Sequence, residues 1–227
     1  MAEYGKLEYW EQRYSEDPNP FEWYQRYIAL KPIINAEIKK DANILHIGCG
    51  TSRVGEEMYA DGYQHIVNTD FSPKAIEIMK AKVSDKPGLQ YAVEDVLDLL
   101  EQPESQYDAV IGKGCFDSIL CTETSFKNAQ NMLAGVAKVL KPGGVYVEIS
   151  YKGREDGYPY FQTPELPWKA KMQTIIRPKR GMTFSTSSSA SSSSSQQRAP
   201  SVDDGEVHYI YICKKHSAKE EDDQSEQ

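Results

Sequence analysis

Cysteine is scarce in this chain of 227 residues, and the four present follow no pattern. Cys49, Cys115, Cys121 and Cys213 have neither CxxC spacing nor paired histidines nearby. That argues against a zinc site or a disulfide framework and for reduced thiols. Long hydrophobic runs are missing as well: nothing approaches the ~20 apolar residues that span a bilayer. The N-terminus, MAEYGKLEYW, is charged and aromatic and lacks the apolar stretch of a signal peptide. A soluble, cytoplasmic protein with no membrane partner is therefore expected. An excess of positive charge is also absent. The formal net charge is −8, of which the tail SAKEEDDQSEQ carries −4. The acidic remainder argues against generic binding to phosphate backbones, so no nucleic-acid partner is expected.

What the chain does have is a change of period along its length. Leu7, Trp10 and Tyr14 share one face of a helix. DPNP stops it, and Asn19 with Pro20 make an N-cap and first-position pair for a second helix carrying Trp23, Tyr27 and Leu30. Pro32 interrupts, and residues 33–40 are expected to form a third short helix. Residues 1–40 thus read as a helical lid. From Asn43, strands alternate with helices: NILHIG, HIVNTD, LQYAVEDV, YDAVIGK and VYVEIS are strands. Thr51 or Ser52 caps the helix after the first, and Ser72 with Pro73 opens the helix after the second. Met132, Leu133, Val136, Val139 and Leu140 mark an amphipathic helix closed by KPGG.

Such alternation implies a parallel sheet covered on both faces. The ending departs from it. Trp168, Ala170 and Met172 alternate with polar neighbours, as do Val207, Tyr209, Tyr211 and Cys213, and no helix fits between them. These two strands are expected to pair as an antiparallel hairpin. The expected fold class is α/β: a Rossmann-like, seven-stranded, mostly parallel sheet with helices on both faces and a C-terminal antiparallel hairpin. Residues 1–216 form a single domain. The serine-rich insertion at 181–204 and the acidic tail at 217–227 cannot bury a core and are expected to be disordered.

The stretch NILHIGCGTSRVG, residues 43–55, carries the chemistry. A glycine-rich turn from strand to helix holds either a dinucleotide or S-adenosylmethionine (SAM). The dinucleotide fingerprint GxGxxG needs a third glycine near the pyrophosphate. Gly48 and Gly50 are followed here by Thr51, Ser52 and Arg53, and a cofactor without phosphates has less need of that close approach. Asp70 ends the second strand, where a carboxylate can accept both ribose hydroxyls. Asp95 can accept the adenine amino group while the Val96 N–H donates to the ring. These acids tilt the choice toward SAM.

In their order and spacing, NILHIGCGTS, IVNTDFS, VEDV, YDAVIGKG and VLKPGGVYVEIS resemble a class I, seven-stranded SAM-dependent methyltransferase. EYWEQRY, PFEWYQRY, GKGCFDSIL and PWKAKMQTI with VHYIYICKK resemble the group of methyltransferase-like protein 13 and the related elongation factor 1-alpha lysine methyltransferase. The resemblance implies a cofactor cradle. Gly48 and Gly50 lie against the methionine part, Asp70 and Phe71 against ribose and adenine, and Asp95 and Val96 against adenine. It implies further that Trp10, Tyr14 and Trp23 cover the methionine end and that Lys113 stands beside the methyl group. His46 replaces the frequent acid of the first motif, and Ser52 its third glycine.

Several residues keep two readings. His46 is read as a neutral core histidine before a switch, and His208 as an ordinary strand histidine before a cleft residue. Asp117 either orients an incoming amine or caps a helix, and Tyr151 is either an acceptor contact or a loop residue; these two are the candidate catalytic residues. Lys169, Lys171, Arg177, Lys179 and Arg180 read first as a solvated strand face. No metal site is expected. The expected activity is methyl transfer to a protein lysine or N-terminal amine, with a translation factor among the substrates by resemblance. A small-molecule acceptor and a non-catalytic SAM-binding partner protein remain open alternatives, and a monomer or weak oligomer is expected.

Overall fold

The computed structural model describes residues 3–83, 85–178 and 206–217. Seven strands form one sheet in the order β3-β2-β1-β4-β5-β7-β6. The strands β1 (Asn43–Ile47), β2 (His65–Asp70), β3 (Leu89–Val93), β4 (Tyr107–Lys113) and β5 (Leu140–Ser150) run parallel. The last two, β6 (Trp168–Ile176) and β7 (Val207–Lys215), pair antiparallel as the alternation predicts. β7 slots between β5 and β6 and is antiparallel to β5.

Each strand feeds both faces. Ile44, Ala109, Ile111, Val145 and Val147 pack under α2 (Tyr27–Glu37), α3 (Val54–Ala60) and α4 (Pro73–Lys80). Leu45, Ile47, Val110 and Tyr146 pack on the other face. That face is covered by the 3-10 turn Val96–Glu101, α5 (Cys115–Ile119), α6 (Ser125–Val139) and α7 (Tyr158–Phe161). Apolar side chains on both sides of a strand are what a parallel sheet between two helical layers requires. Lys169, Lys171 and Gln173 face outward on β6, so the solvated-strand reading describes the first two; Lys179 and Arg180 lie outside the described residues. The serine-rich insertion and the acidic tail after Ser217 lie outside them too.

The N-terminal region differs from expectation. α1 (Leu7–Glu16) buries Trp10 and Tyr14, but no helix starts at Asn19. α2 instead runs from Tyr27 through Pro32 to Glu37, merging the two short helices expected there. Residues 19–25 are held open by distant partners. Asn19 and Phe21 bond the Thr51 side chain, Glu22 bonds Ser52 and Arg53, and Gln25 bonds Ile176 and His208. Tertiary bonds here outweigh local helix propensity, which is worth only tenths of a kcal/mol per residue. Two strand ends shift as well. β3 stops at Val93 because Asp95 caps the 3-10 turn, accepting from Leu97 N at 3.0 Å. β5 begins at Leu140 with an irregularity opposite Tyr107 and Ala109, so KPGG lies within the strand.

Candidate active site

The chain order reverses between β1 and β4, whose carboxyl ends therefore diverge into a crevice, the usual ligand site of an open α/β sheet. A cavity of about 610 Å³ opens there, within the range of small-molecule and cofactor sites. Its floor is the glycine loop after β1. Gly48 and Gly50 have φ of 56° and 50°, a conformation that favours glycine. A Cβ on Gly48 would stand 2.8 Å from Cys115 Sγ, and one on Gly50 2.5 Å from the Tyr14 hydroxyl. The glycine that brings helix close to strand is Gly55, two positions beyond the dinucleotide spacing: a Cβ there would collide with Asn68 Oδ1. Arg53, at the position of the dinucleotide motif's third glycine, has an exposed side chain that leaves the turn clear. Ser52, not Thr51, serves the start of α3, accepting from Val54 N at 3.2 Å.

Asp70 secures this loop from the end of β2. Its Oδ2 accepts from Gly50 N at 2.8 Å and its Oδ1 from Ser72 N at 2.9 Å. A carboxylate has about four acceptor positions, so two remain for hydroxyl groups of a ligand. Burial pushes Asp70 up to about 6, against the pull of its two backbone bonds. Phe71, Asp95 and Val96 line the same cavity. His46 lines it too and is buried. Asn68 donates to Gln90 O, which leaves its Oδ1 to accept from His46 Nδ1 at 2.9 Å. Burial pushes this imidazole down to about 4, so it is neutral near pH 7 with Nε2 as an acceptor.

The N-terminal aromatics close one side. Trp10 and Trp23 line the cavity, with Trp10 stacked on Tyr14 at 5.7 Å and donating to Tyr4 O at 2.8 Å. Tyr14 stands behind Gly50 and is not part of the lining. Lys113, at the end of β4, is buried and lines the cavity. Its Nζ donates to Trp23 O at 3.0 Å and pairs with Glu22 Oε2 at 2.9 Å. Burial pushes its ammonium down, and Glu22 pulls it back up. Glu22 itself accepts from Ser52 Oγ at 2.8 Å and Arg53 N at 2.6 Å. Asp117 and Tyr151 line the same cavity. Asp117 lies within α5 and caps nothing; it accepts from Tyr24 OH, Ser150 Oγ and Tyr151 N. His208 is buried behind Tyr24, at 4.9 Å between rings, and does not line the cavity.

The cavity therefore has a polar floor suited to a nucleoside and an amino-acid group, and an aromatic wall beside one carboxylate. Gly48, Gly50, Asp70, Phe71, Asp95 and Val96 fit the requirements of SAM: two open acceptor positions on Asp70 and backbone free of Cβ atoms. Glu22 and Tyr24 escaped the sequence reading, although both fall in PFEWYQRY. Among the described residues, no cluster of His, Cys, Asp and Glu is placed to hold a metal ion. All four cysteines are free. Burial pushes the Cys49 and Cys115 thiols well up, away from nucleophilic thiolate.

Residues 44–144 match the family model described as a methyltransferase domain. The mouse eEF1A lysine and N-terminal methyltransferase is 36% identical over 152 residues, 65% of this chain and 22% of that protein. The chain thus spans only about a fifth of that relative's length. The mouse EEF1A lysine methyltransferase 4 is 25% identical over 182 residues, covering 76% of this chain and 71% of the relative. In three dimensions, a SAM-dependent methyltransferase from Methanosarcina mazei aligns with a TM-score of 0.56 at 16% identity, over 82% of this chain and 98% of its own.

Proposed function

We propose that the chain is a class I SAM-dependent methyltransferase that moves a methyl group onto a protein nitrogen, a lysine side chain or an N-terminal amine. One observation carries this reading: a single cavity is lined both by the glycine loop with Asp70 and by Asp117, Tyr24 and Tyr151. The names of the relatives point to eEF1A as acceptor, with the cytoplasm as the place of work. Among the described residues, no helix is long and apolar enough to cross a membrane.

SAM supplies a methyl group already activated on a sulfonium, so what the protein contributes is alignment and exclusion of water. Asp70 and the backbone at Gly48 and Gly50 hold the donor end. Trp10 and Trp23 cover it, locked down by the bonds of Lys113 to Trp23 and Glu22. At the acceptor end a lysine amine, ordinarily near pKa ~10.4, must be neutral to attack. Burial among Tyr24, Tyr151 and Trp23 favours that neutral form. A neutral amine has one lone pair, so anchoring one of its N–H groups on Asp117 turns the lone pair toward the donor.

The deciding experiment incubates the purified full chain with radiolabelled SAM and either purified eEF1A or a protein-free metabolite extract. Label in eEF1A is expected. Label confined to small molecules, or none at all from a chain that binds SAM, overturns the reading.

A further inference from the structure

The acceptor end of the cavity is organised by a residue of the N-terminal segment. Tyr24 has φ of 60°, in the left-handed region, where a side chain with a Cβ is strained and where strain tends to mark functional positions. Its ring lies against Gly114, where a Cβ would come 3.3 Å from Tyr24 Cε2. Tyr151 and His208 flank the ring at 6.3 and 4.9 Å. Gln25 fixes the backdrop: its amide nitrogen donates to Ile176 O at 2.8 Å and meets His208 Nδ1 at 3.1 Å. With Nε2 of Gln25 a donor, His208 Nδ1 accepts and its proton sits on Nε2. Burial and Arg177 push the imidazole down to about 4, so this wall is neutral near pH 7.

The Tyr24 hydroxyl donates to Asp117 Oδ2 at 2.8 Å, and Tyr151 N shares that oxygen at 3.4 Å. Ser150 Oγ donates to Oδ1 at 2.6 Å. Of about four acceptor positions, the one left is on Oδ1, and Asp117 lines the cavity.

We propose that Tyr24 is the positioning residue of the acceptor site, holding Asp117 by Oδ2 so that Oδ1 receives an N–H of an amine on a flexible aliphatic stem. The proposal rests on the reading of the protein as an amine methyltransferase. Tyr24 and Tyr151 then form walls against the acceptor's aliphatic stem, and burial between them favours the neutral amine. Glu22-Trp23-Tyr24 is one tripeptide with two duties. Glu22 and the Trp23 carbonyl are bound at the donor end, and Tyr24 sets the carboxylate at the acceptor end, so docking of this segment completes both.

Several titratable or charged groups surround Asp117. They are Tyr24 from the N-terminal segment, Tyr151 and Lys152 after β5, Glu148 on β5, Cys115 on α5, Cys121 after it, and Tyr211 on β7. Burial pushes Asp117 up to about 6, and its bonds from Ser150 and Tyr24 pull it down. Tyr24→Phe keeps the ring and removes one of those pulls.

The test uses the purified full chain, Tyr24→Phe and Asp117→Asn, with SAM affinity by calorimetry and turnover on purified eEF1A at saturating SAM. The Asp117 carboxyl resonance is followed by carbon NMR across pH, identified by its loss in Asp117→Asn. In Tyr24→Phe, kcat/KM for eEF1A is expected to fall about ten- to a hundredfold, the worth of a hydrogen bond to a charged group. SAM affinity holds, and the Asp117 midpoint moves to higher pH. Asp117→Asn loses turnover and keeps SAM binding. Unchanged turnover or an unmoved midpoint in Tyr24→Phe overturns the proposal, as does loss of SAM binding, which would place Tyr24 at the donor end. If the unaltered chain methylates no protein, the functional reading falls first and the proposal falls with it.

Discussion

Asp70 concentrates the donor chemistry in one side chain, because it ties the glycine loop and the start of α4 with separate oxygens. Its remaining acceptor positions are useful only while it is ionised. Burial, with Glu11 and Asp95 adding to it, pushes the carboxyl up to about 6. A ligand that donates hydroxyls to Asp70 binds the ionised form, so below that value the site must first lose a proton. SAM affinity is therefore expected to be level above pH 6.5 and to weaken by about tenfold per pH unit below 6. Calorimetry from pH 5 to 7.5 checks this, and a flat profile would remove Asp70 from the cofactor site. Asp70→Asn places an amide against Gly50 N or Ser72 N, so a loss of about a hundredfold or more in SAM affinity is expected at every pH.

At the scale of elements, segment 17–26 is the piece whose position depends on single contacts. Lys113 is buried with Glu22 as its ion partner, and the Glu22 side chain is 19% exposed. Removing one member of such a pair leaves the other desolvated and unmatched. Lys113→Met is expected to destabilise the chain by up to ~3 kcal/mol and speed SAM release, and Glu22→Gln in the same chain to recover much of the stability. Urea unfolding of the two single variants and the double variant measures the coupling; additive losses would mean that the pair does not lock the segment. This is also where the sequence was least readable. The strands could be read because their apolar side chains serve both layers, and the final hairpin because Trp168–Met172 and Val207–Cys213 alternate. Ser72 and Pro73 announced α4 through local chemistry alone, and Ser72 Oγ does accept from Ala75 N. Asn19-Pro20 made the same kind of local promise and no helix followed, since the bonds that decide this segment come from Thr51, Ser52 and His208. The glycine loop and Asp70 were legible from spacing. Tyr24 was not, because its partner Asp117 lies 93 residues away and its backbone strain leaves no mark on composition.

Among the described residues, five buried carboxyls and histidines carry shifts that bear on stability between pH 4 and 8. Burial pushes Asp70 and Asp117 up to about 6 and Glu148 up to about 8, while His46 and His208 go down to about 4. A carboxyl raised in the fold holds its proton longer than in the unfolded chain, so stability is lost as pH rises from the unfolded value through the folded one. A histidine lowered in the fold is the reverse case: stability is lost as pH falls from 6.5 toward 4. Between pH 4.5 and 6 the two histidines and the two aspartates oppose each other, which leaves the decline from Glu148, whose window opens at the unfolded glutamate value and runs up to about 8. Above 6.5 only Glu148 of this set still titrates. It lies fully buried on β5 beside β4, where a Cβ on Gly112 would meet its Oε2 and where Tyr146 OH donates to it at 2.7 Å. Its ionisation in this apolar layer is opposed, so stability should decline from pH 6.5 to 8 by up to ~1.4 kcal/mol per unit. For a chain of this size each kcal/mol is roughly 2–4 °C in Tm. Glu148→Gln keeps the shape and an acceptor for Tyr146 and has no proton to lose. Its Tm is expected to stay level across that window while that of the unaltered chain drops. Parallel declines in both proteins would place the alkaline sensitivity elsewhere than Glu148.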